Sequence, residues 1–124
     1  MPLHVNSVTF DAGDARTLAS FWGTVFGVQA QAPNDFVAFV NPEGGPNLMF
    51  IAVPEGKSAK NRVHLDLHAE DPADVDAEAE RLLAAGATFV GEHREFGVYW
   101  RTLQDPEGNE LCIGTPDPAA APSS

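Results

Sequence analysis

The chain has 124 residues, 44% of them hydrophobic and 20% charged, which is enough for one domain to bury a core without disulfides or a structural metal. A formal net charge of −11 excludes a nucleic-acid surface, because phosphates demand Lys and Arg; it suits plain solubility or the attraction of small cations. The single cysteine excludes an internal disulfide framework and suits a reducing cytosol.

The opening Met1-Pro2-Leu3-His4 has neither the basic nor the apolar region of a secretory signal. No apolar run approaches the roughly 18 residues that span a bilayer. The expectation is a cytoplasmic protein with no membrane partner.

Leu3 to Asp11 alternates and predicts a strand. Asp14 then caps a helix whose apolar stripe is Leu18, Trp22, Val25 and Phe26, and Gly27 is placed to end it. Short β runs follow at 36–40 and 48–53, joined by a Pro/Gly turn. Pro54 to Lys60 is a polar connector. Beyond it, Val63 to His68 predicts a strand, and Asp71 and Pro72 open a helix that sets Val75, Ala79, Leu82 and Leu83 toward the core. Gly86 closes that helix, and strands are predicted at 88–90, 98–103 and 110–114. The tail 116–124, rich in Pro, Ala and Ser, is expected to be disordered.

Two pairs of segments repeat. Ser7 to Phe26 overlays His64 to Leu83 without a gap, and Val40 to Phe50 repeats the strand, Pro-Glu-Gly turn and strand of Leu103 to Ile113. The repeat predicts two tandem βαβββ modules, about 1–53 and 61–115, within one α+β domain over 1–115. Each module covers one sheet face with a helix and leaves the other open.

Side chains alternate along a strand. With Val63, Leu65 and Leu67 packed under the helix, His64, Asp66 and His68 point to the open face. By the repeat, Ser7, Thr9 and Asp11 do likewise in the first module, and Glu110 and Cys112 join from the last strand. Tyr99 and Trp100 occupy opposite faces of their strand; the spacing leaves open which one lines the open side, and Trp100 is carried as the candidate wall. This polar, titratable row reads as a small-molecule site or as a solvated sheet face. His64 is the one candidate general base, with Asp66 to orient it. His4 and His93 carry no motif and read as surface.

Phe21-Trp22 before Val25-Phe26-Gly27, His64-Leu65-Asp66-Leu67 and Asp105-Pro-Glu-Gly-Asn-Glu-Leu-Cys112, within the paired modules, resemble the vicinal oxygen chelate superfamily and its glyoxalase-like branch. That superfamily includes glyoxalase I, bleomycin-resistance proteins and extradiol dioxygenases. The resemblance covers about residues 3 to 115. It implies a curled eight-stranded mixed sheet forming a central cup, often completed by a homodimer. It also implies metal-ligand positions at Ser7, Phe50, His64 and Cys112, where the family pattern is His, Gln or Glu. Only His64 keeps that pattern, and His64 with Cys112 supplies two donors where three are usual.

The expectation is therefore no cofactor and no bound metal, and a small-molecule binder of the bleomycin-resistance kind. Its ligand, cationic or aromatic, would be lined by Ser7, Thr9, His64, Asp66, Trp100, Glu110 and Cys112. The alternative is an enzyme, a lyase, isomerase or dioxygenase, with an altered metal site or with His64 as acid-base catalyst.

Overall fold

Asp14 fixes the start of the first helix. Its carboxylate accepts the Thr17 backbone N–H at 3.1 Å and the Thr17 hydroxyl at 2.9 Å, which satisfies a helix-opening donor that has no partner within the helix. The helix ends at Gly27, held at φ 67°, a conformation only glycine adopts without strain. A computed structural model describes residues 3–120. It contains β1 (Ser7–Ala12), α1 (Ala15–Phe26), β2 (Val37–Val40), β3 (Asn47–Ala52), β4 (Leu65–His68), α2 (Pro72–Ala84), β5 (Thr88–Glu95), β6 (Val98–Gln104) and β7 (Glu110–Pro116). Two compact units divide between Ser58 and Ala59.

In the first unit the sheet order is β1-β3-β2, with β1 parallel to β3 and β2 antiparallel to it. Its core is aromatic. Trp22, fully buried, lies 5.5 Å from Phe10, 5.8 Å from Phe21 and 6.1 Å from Phe26 between ring centroids, and Phe10 meets Phe50 at 5.1 Å. Such pairs add to the burial of area that holds α1 on the sheet.

The second unit repeats the plan with one more strand, in the order β4-β7-β6-β5. β4 and β7 are parallel, as β1 and β3 are. Val75, Ala79 and Leu82 of α2 are buried, as are Tyr99, Leu103, Leu111 and Ile113 of the sheet. Asp105, also buried, organises the Pro-Glu-Gly turn: its Oδ1 accepts the backbone N–H groups of Glu107 and Asn109, both at 2.9 Å.

This is the expected α+β plan of strand, helix and sheet, repeated. Seven strands form among the described residues, and the eighth position is reduced to an isolated bridge of Gln31 with Phe39. Local chemistry explains the reduction. Pro33 has no N–H to give a ladder, and the Asn34 side chain accepts from the backbone of Phe36 at 2.8 Å and Val37 at 3.0 Å.

Three local expectations change. Val63 is not under the helix but 74% exposed, because β4 begins only at Leu65. The strand expected at 88–90 runs on to Glu95. The expected disordered tail starts within ordered structure: Pro116 ends β7, and the buried Asp117 takes an ion pair from Arg94 at 2.7 Å. The remainder of that tail, 121–124, lies outside the described residues. No helix among the described residues is long and apolar enough to cross a membrane.

Candidate functional site

One register in the second unit assembles the site. β4 and β7 pair in parallel with Asp66 opposite Cys112, and β6 sets Thr102 opposite Cys112 and Trp100 opposite Gly114. Because faces alternate, Leu67, Leu111, Ile113 and Tyr99 turn to the helix while Asp66, Cys112, Thr102 and Trp100 turn away from it. The fully buried member of the Tyr99–Trp100 pair is Tyr99. Trp100 is the wall. Gly114 makes room for it, since a Cβ there would sit 3.1 Å from the Trp100 Cβ.

On this open face lies a cavity of about 620 Å³, its polar lining including Lys60, His64, Asp66, Glu110 and Cys112, with Trp100 beside them. The cavity is built from second-unit residues alone. Ser7 and Thr9 stand on β1 of the first unit, opposite Asn47 and Met49 of β3. Thr9 and Met49 are the counterparts of Asp66 and Cys112, so a hydroxyl and a thioether replace the carboxylate and thiol. Phe50 is fully buried and corresponds to Ile113, not Cys112. Met49, and not Phe50, is therefore the first-module residue equivalent to Cys112.

The polar contacts are specific. His64 Nε2 lies 3.1 Å from Asp66 Oδ1, both side chains substantially exposed. Lys60 Nζ lies 2.8 Å from Glu110 Oε1, which holds a connector residue over the cavity. The Cys112 sulfur is 3.4 Å from the Thr102 hydroxyl. Burial pushes the Cys112 thiol up from its ordinary value; the Thr102 contact opposes this, and the Asp66 and Glu110 carboxylates add to it. The thiol is a proton-holding group and not a ready nucleophile.

Sequence reasoning missed Lys60, whose partner is 50 residues away and leaves no local signal. It also counted only His64 and Cys112 as metal donors and gave Asp66 the role of orienting His64. The structure brings one donor atom of each of His64, Asp66 and Cys112 within 4.8 Å of the others. The i, i+2 spacing gives His64 and Asp66 a common face, and the strand register adds Cys112. His93, expected as plain surface, stacks on Trp100 at 4.8 Å and 25°.

Two βα-sheet units with a parallel crossover pair in each, and a cavity on the uncovered face of the second, define a member of the vicinal oxygen chelate superfamily. The glyoxalase-like domain family matches residues 7–114, and the chain belongs to that family. Among solved structures, a glyoxalase/bleomycin resistance protein/dioxygenase family enzyme from Burkholderia phytofirmans is 23% identical, with TM-score 0.75, covering 89% of this chain and 96% of that one. A lactoylglutathione lyase from Agrobacterium tumefaciens is 23% identical, with TM-score 0.68 and coverage of 92% and 94%. A glyoxalase/bleomycin resistance protein/dioxygenase from Nocardioides is 16% identical, with TM-score 0.76 and coverage of 100% and 90%. At these identities the likeness is one of fold. Nothing matches among curated protein sequences.

The superfamily's metal chemistry sets a test for these donors. An imidazole, a carboxylate and a thiol, mutually within 4.8 Å, match the donor number of a zinc-class site with an open position. They do not match the oxygen-rich sets that Mg, Mn or Fe prefer. Bound there, a zinc-class ion would supply a Lewis acid, and Cys112 would first have to release its proton.

Proposed function

We propose that this protein is a small-molecule-binding member of its family, holding an aromatic, positively charged organic compound reversibly in the second-unit cavity. Sequestration in the manner of bleomycin-resistance proteins is the role this implies. The observation that carries the reading is the cavity of about 620 Å³ with Trp100 as one wall and the Asp66 carboxylate, mostly exposed, as another. That volume falls in the range of drug-sized sites. An indole face attracts flat and cationic groups, and a chain charge of −11 draws cations toward it. The raised thiol supports binding over covalent chemistry.

Trp22 is fully buried whereas Trp100 lines the cavity, so quenching of the accessible tryptophan reports occupancy. Planar aromatic cations titrated against their neutral isosteres are expected to bind roughly tenfold tighter, the scale of one desolvated charge contact. Equal affinity for the two sets would remove the cationic preference. No quenching across both sets would remove the binding reading.

One observation favours an enzyme instead: the His64–Asp66 contact at 3.1 Å with Cys112 close by. In that reading His64 is the base, or the three residues hold a zinc-class ion for lyase, isomerase or dioxygenase chemistry. Stoichiometric zinc that raises the melting temperature of the wild type but not of Cys112→Ala would establish it over the metal-free binder.

A further inference from the structure

The cavity has two poles on one strand. Glu110, Cys112 and Gly114 alternate with buried residues along β7 and line the cavity on its open side. Glu110 and Gly114 are four residues apart, roughly 13 Å at the rise of a strand. Gly114 pairs with Trp100, so the aromatic wall stands at one end and the Glu110 carboxylate at the other.

The Glu110 end already holds an ammonium group. Lys60 Nζ lies 2.8 Å from Glu110 Oε1, the distance of a charge-assisted hydrogen bond. The two partners are unequal. The Glu110 side chain is 17% exposed and set into the cavity wall, whereas that of Lys60 is 77% exposed. Lys60 also stands outside regular structure, in the stretch between β3 and β4. The carboxylate is therefore the fixed partner and the ammonium the movable one. Releasing it needs only the rotation of a side chain already mostly in water, which regains rotamer freedom. An ion pair with one partner this exposed is weak enough to be exchanged for another of the same kind.

Asp66 is the poorer anchor for a ligand's charge. Opposite Cys112, it lies between the two poles. Its side chain is 75% exposed and already meets His64 at 3.1 Å. It adds to the negative field of the cavity more than it fixes a position.

We infer that Lys60 is a tethered stand-in for the ligand's own cationic group, closing the Glu110 end of the cavity until an ammonium displaces it. The ligand class this implies is an elongated aromatic primary amine, with its ring at Trp100 and its ammonium on Glu110. A quaternary ammonium has no N–H to give Glu110 and cannot replace Lys60 in kind. Lys60 then sets selectivity, because a ligand without an ammonium leaves the Lys60–Glu110 pair closed and gains nothing at that end. The inference rests on the binding role proposed above and adds where the ligand's charge goes.

Isothermal titration calorimetry on the full chain tests it with three probes: naphthalene bearing a four-carbon chain that ends in a primary ammonium, a trimethylammonium or a hydroxyl. Lys60→Gln removes the internal competitor, so the primary ammonium probe is expected to bind roughly two- to fivefold tighter than to wild type, the scale of one exposed ion pair. The trimethylammonium probe is expected to gain less, and the hydroxyl probe nothing. Lys57→Gln makes the same change of net charge nearby and is expected to leave all three affinities unchanged. In a Glu110→Gln background the primary ammonium probe binds more weakly, and the gain from Lys60→Gln disappears. If Glu110→Gln misfolds, the Lys60 and Lys57 variants still decide the matter. A primary ammonium probe indifferent to Lys60→Gln, improved equally by Lys57→Gln, or matched in its gain by the trimethylammonium probe would overturn the assignment, while binding of the hydroxyl probe keeps the binding role standing. No binding of any probe to any variant would remove that role and this inference with it.

Discussion

Asp66 and Cys112 are direct partners across the parallel β4–β7 pair, so a carboxylate and a thiol share one side of the cavity. Their proximity is set by strand register alone, and the carboxylate alters the proton affinity of the thiol. The Asp66 charge favours the neutral thiol, on top of the larger effect of burial.

Asp66→Asn removes that charge. The thiol value falls toward the ordinary one, so more thiolate is present at a fixed alkaline pH. Alkylation of Cys112 is expected to run roughly two- to fivefold faster than in wild type at pH near 8. An unchanged rate would mean that the Asp66 charge does not control the thiol.

Trp100 and Gly114 define the aromatic wall, and they separate binding from folding. Trp100 is only half-buried, so Trp100→Ala is expected to leave the melting temperature within a few degrees of wild type while abolishing ligand-induced quenching. Gly114→Ala presses a methyl against the Trp100 Cβ at 3.1 Å and the Tyr99 carbonyl oxygen at 3.3 Å. A loss of about 1–3 kcal/mol and weaker binding are expected. Chemical denaturation and ligand titration on the two variants check this pair of outcomes.

Much of this fold is legible in the sequence because its signals are local. Asp14 with Gly27, and Asp71 with Pro72, punctuate the helices by hydrogen bonding and backbone preference, and both helices form there. The face of each β7 residue followed from alternation, since Leu111 and Ile113 are buried and Cys112 is not. What was not legible depends on pairing at a distance. Nothing near Lys60 announces Glu110. The place of Phe50 needed the β1–β3 register, which shows Met49 and not Phe50 opposite Thr9. Trp100 could be told from Tyr99 only once α2 was seen to lie over Tyr99, whose hydroxyl contacts Asp76.

The Asp14 cap has a pH signature. Hydrogen bonds from the Thr17 backbone and hydroxyl hold its carboxyl below the usual 3.8. A lowered folded-state value means the cap's stabilisation is complete above that ordinary value and is lost as pH falls through the folded one. In acid titration followed by circular dichroism, Asp14→Asn, a competent cap without a titrating proton, is expected to lose less helix than wild type below pH 3.8. Identical acid transitions would show that other carboxylates govern acid unfolding.

Tyr99 gives the opposite sign at the other end of the scale. Burial first, then hydrogen bonds to Asp76 and Glu92, push its phenol up from 10.0 to about 12, against the Arg101 contact that lowers it. The folded state therefore holds the proton more tightly than the unfolded chain does. The stabilisation is complete below pH 10 and is lost as pH rises toward about 12. Tyr99 is the only tyrosine in the sequence, so phenolate absorbance follows this one group: it is expected to appear near pH 12 in folded protein and near 10 in denaturant. Tyr99→Phe forfeits the contacts to Asp76, Glu92 and Arg101 and is expected to cost about 1–3 kcal/mol at neutral pH. That deficit should shrink between pH 10 and about 12, because wild type then loses what the variant never had. A deficit constant across this window would detach the alkaline stability of the second unit from its buried phenol.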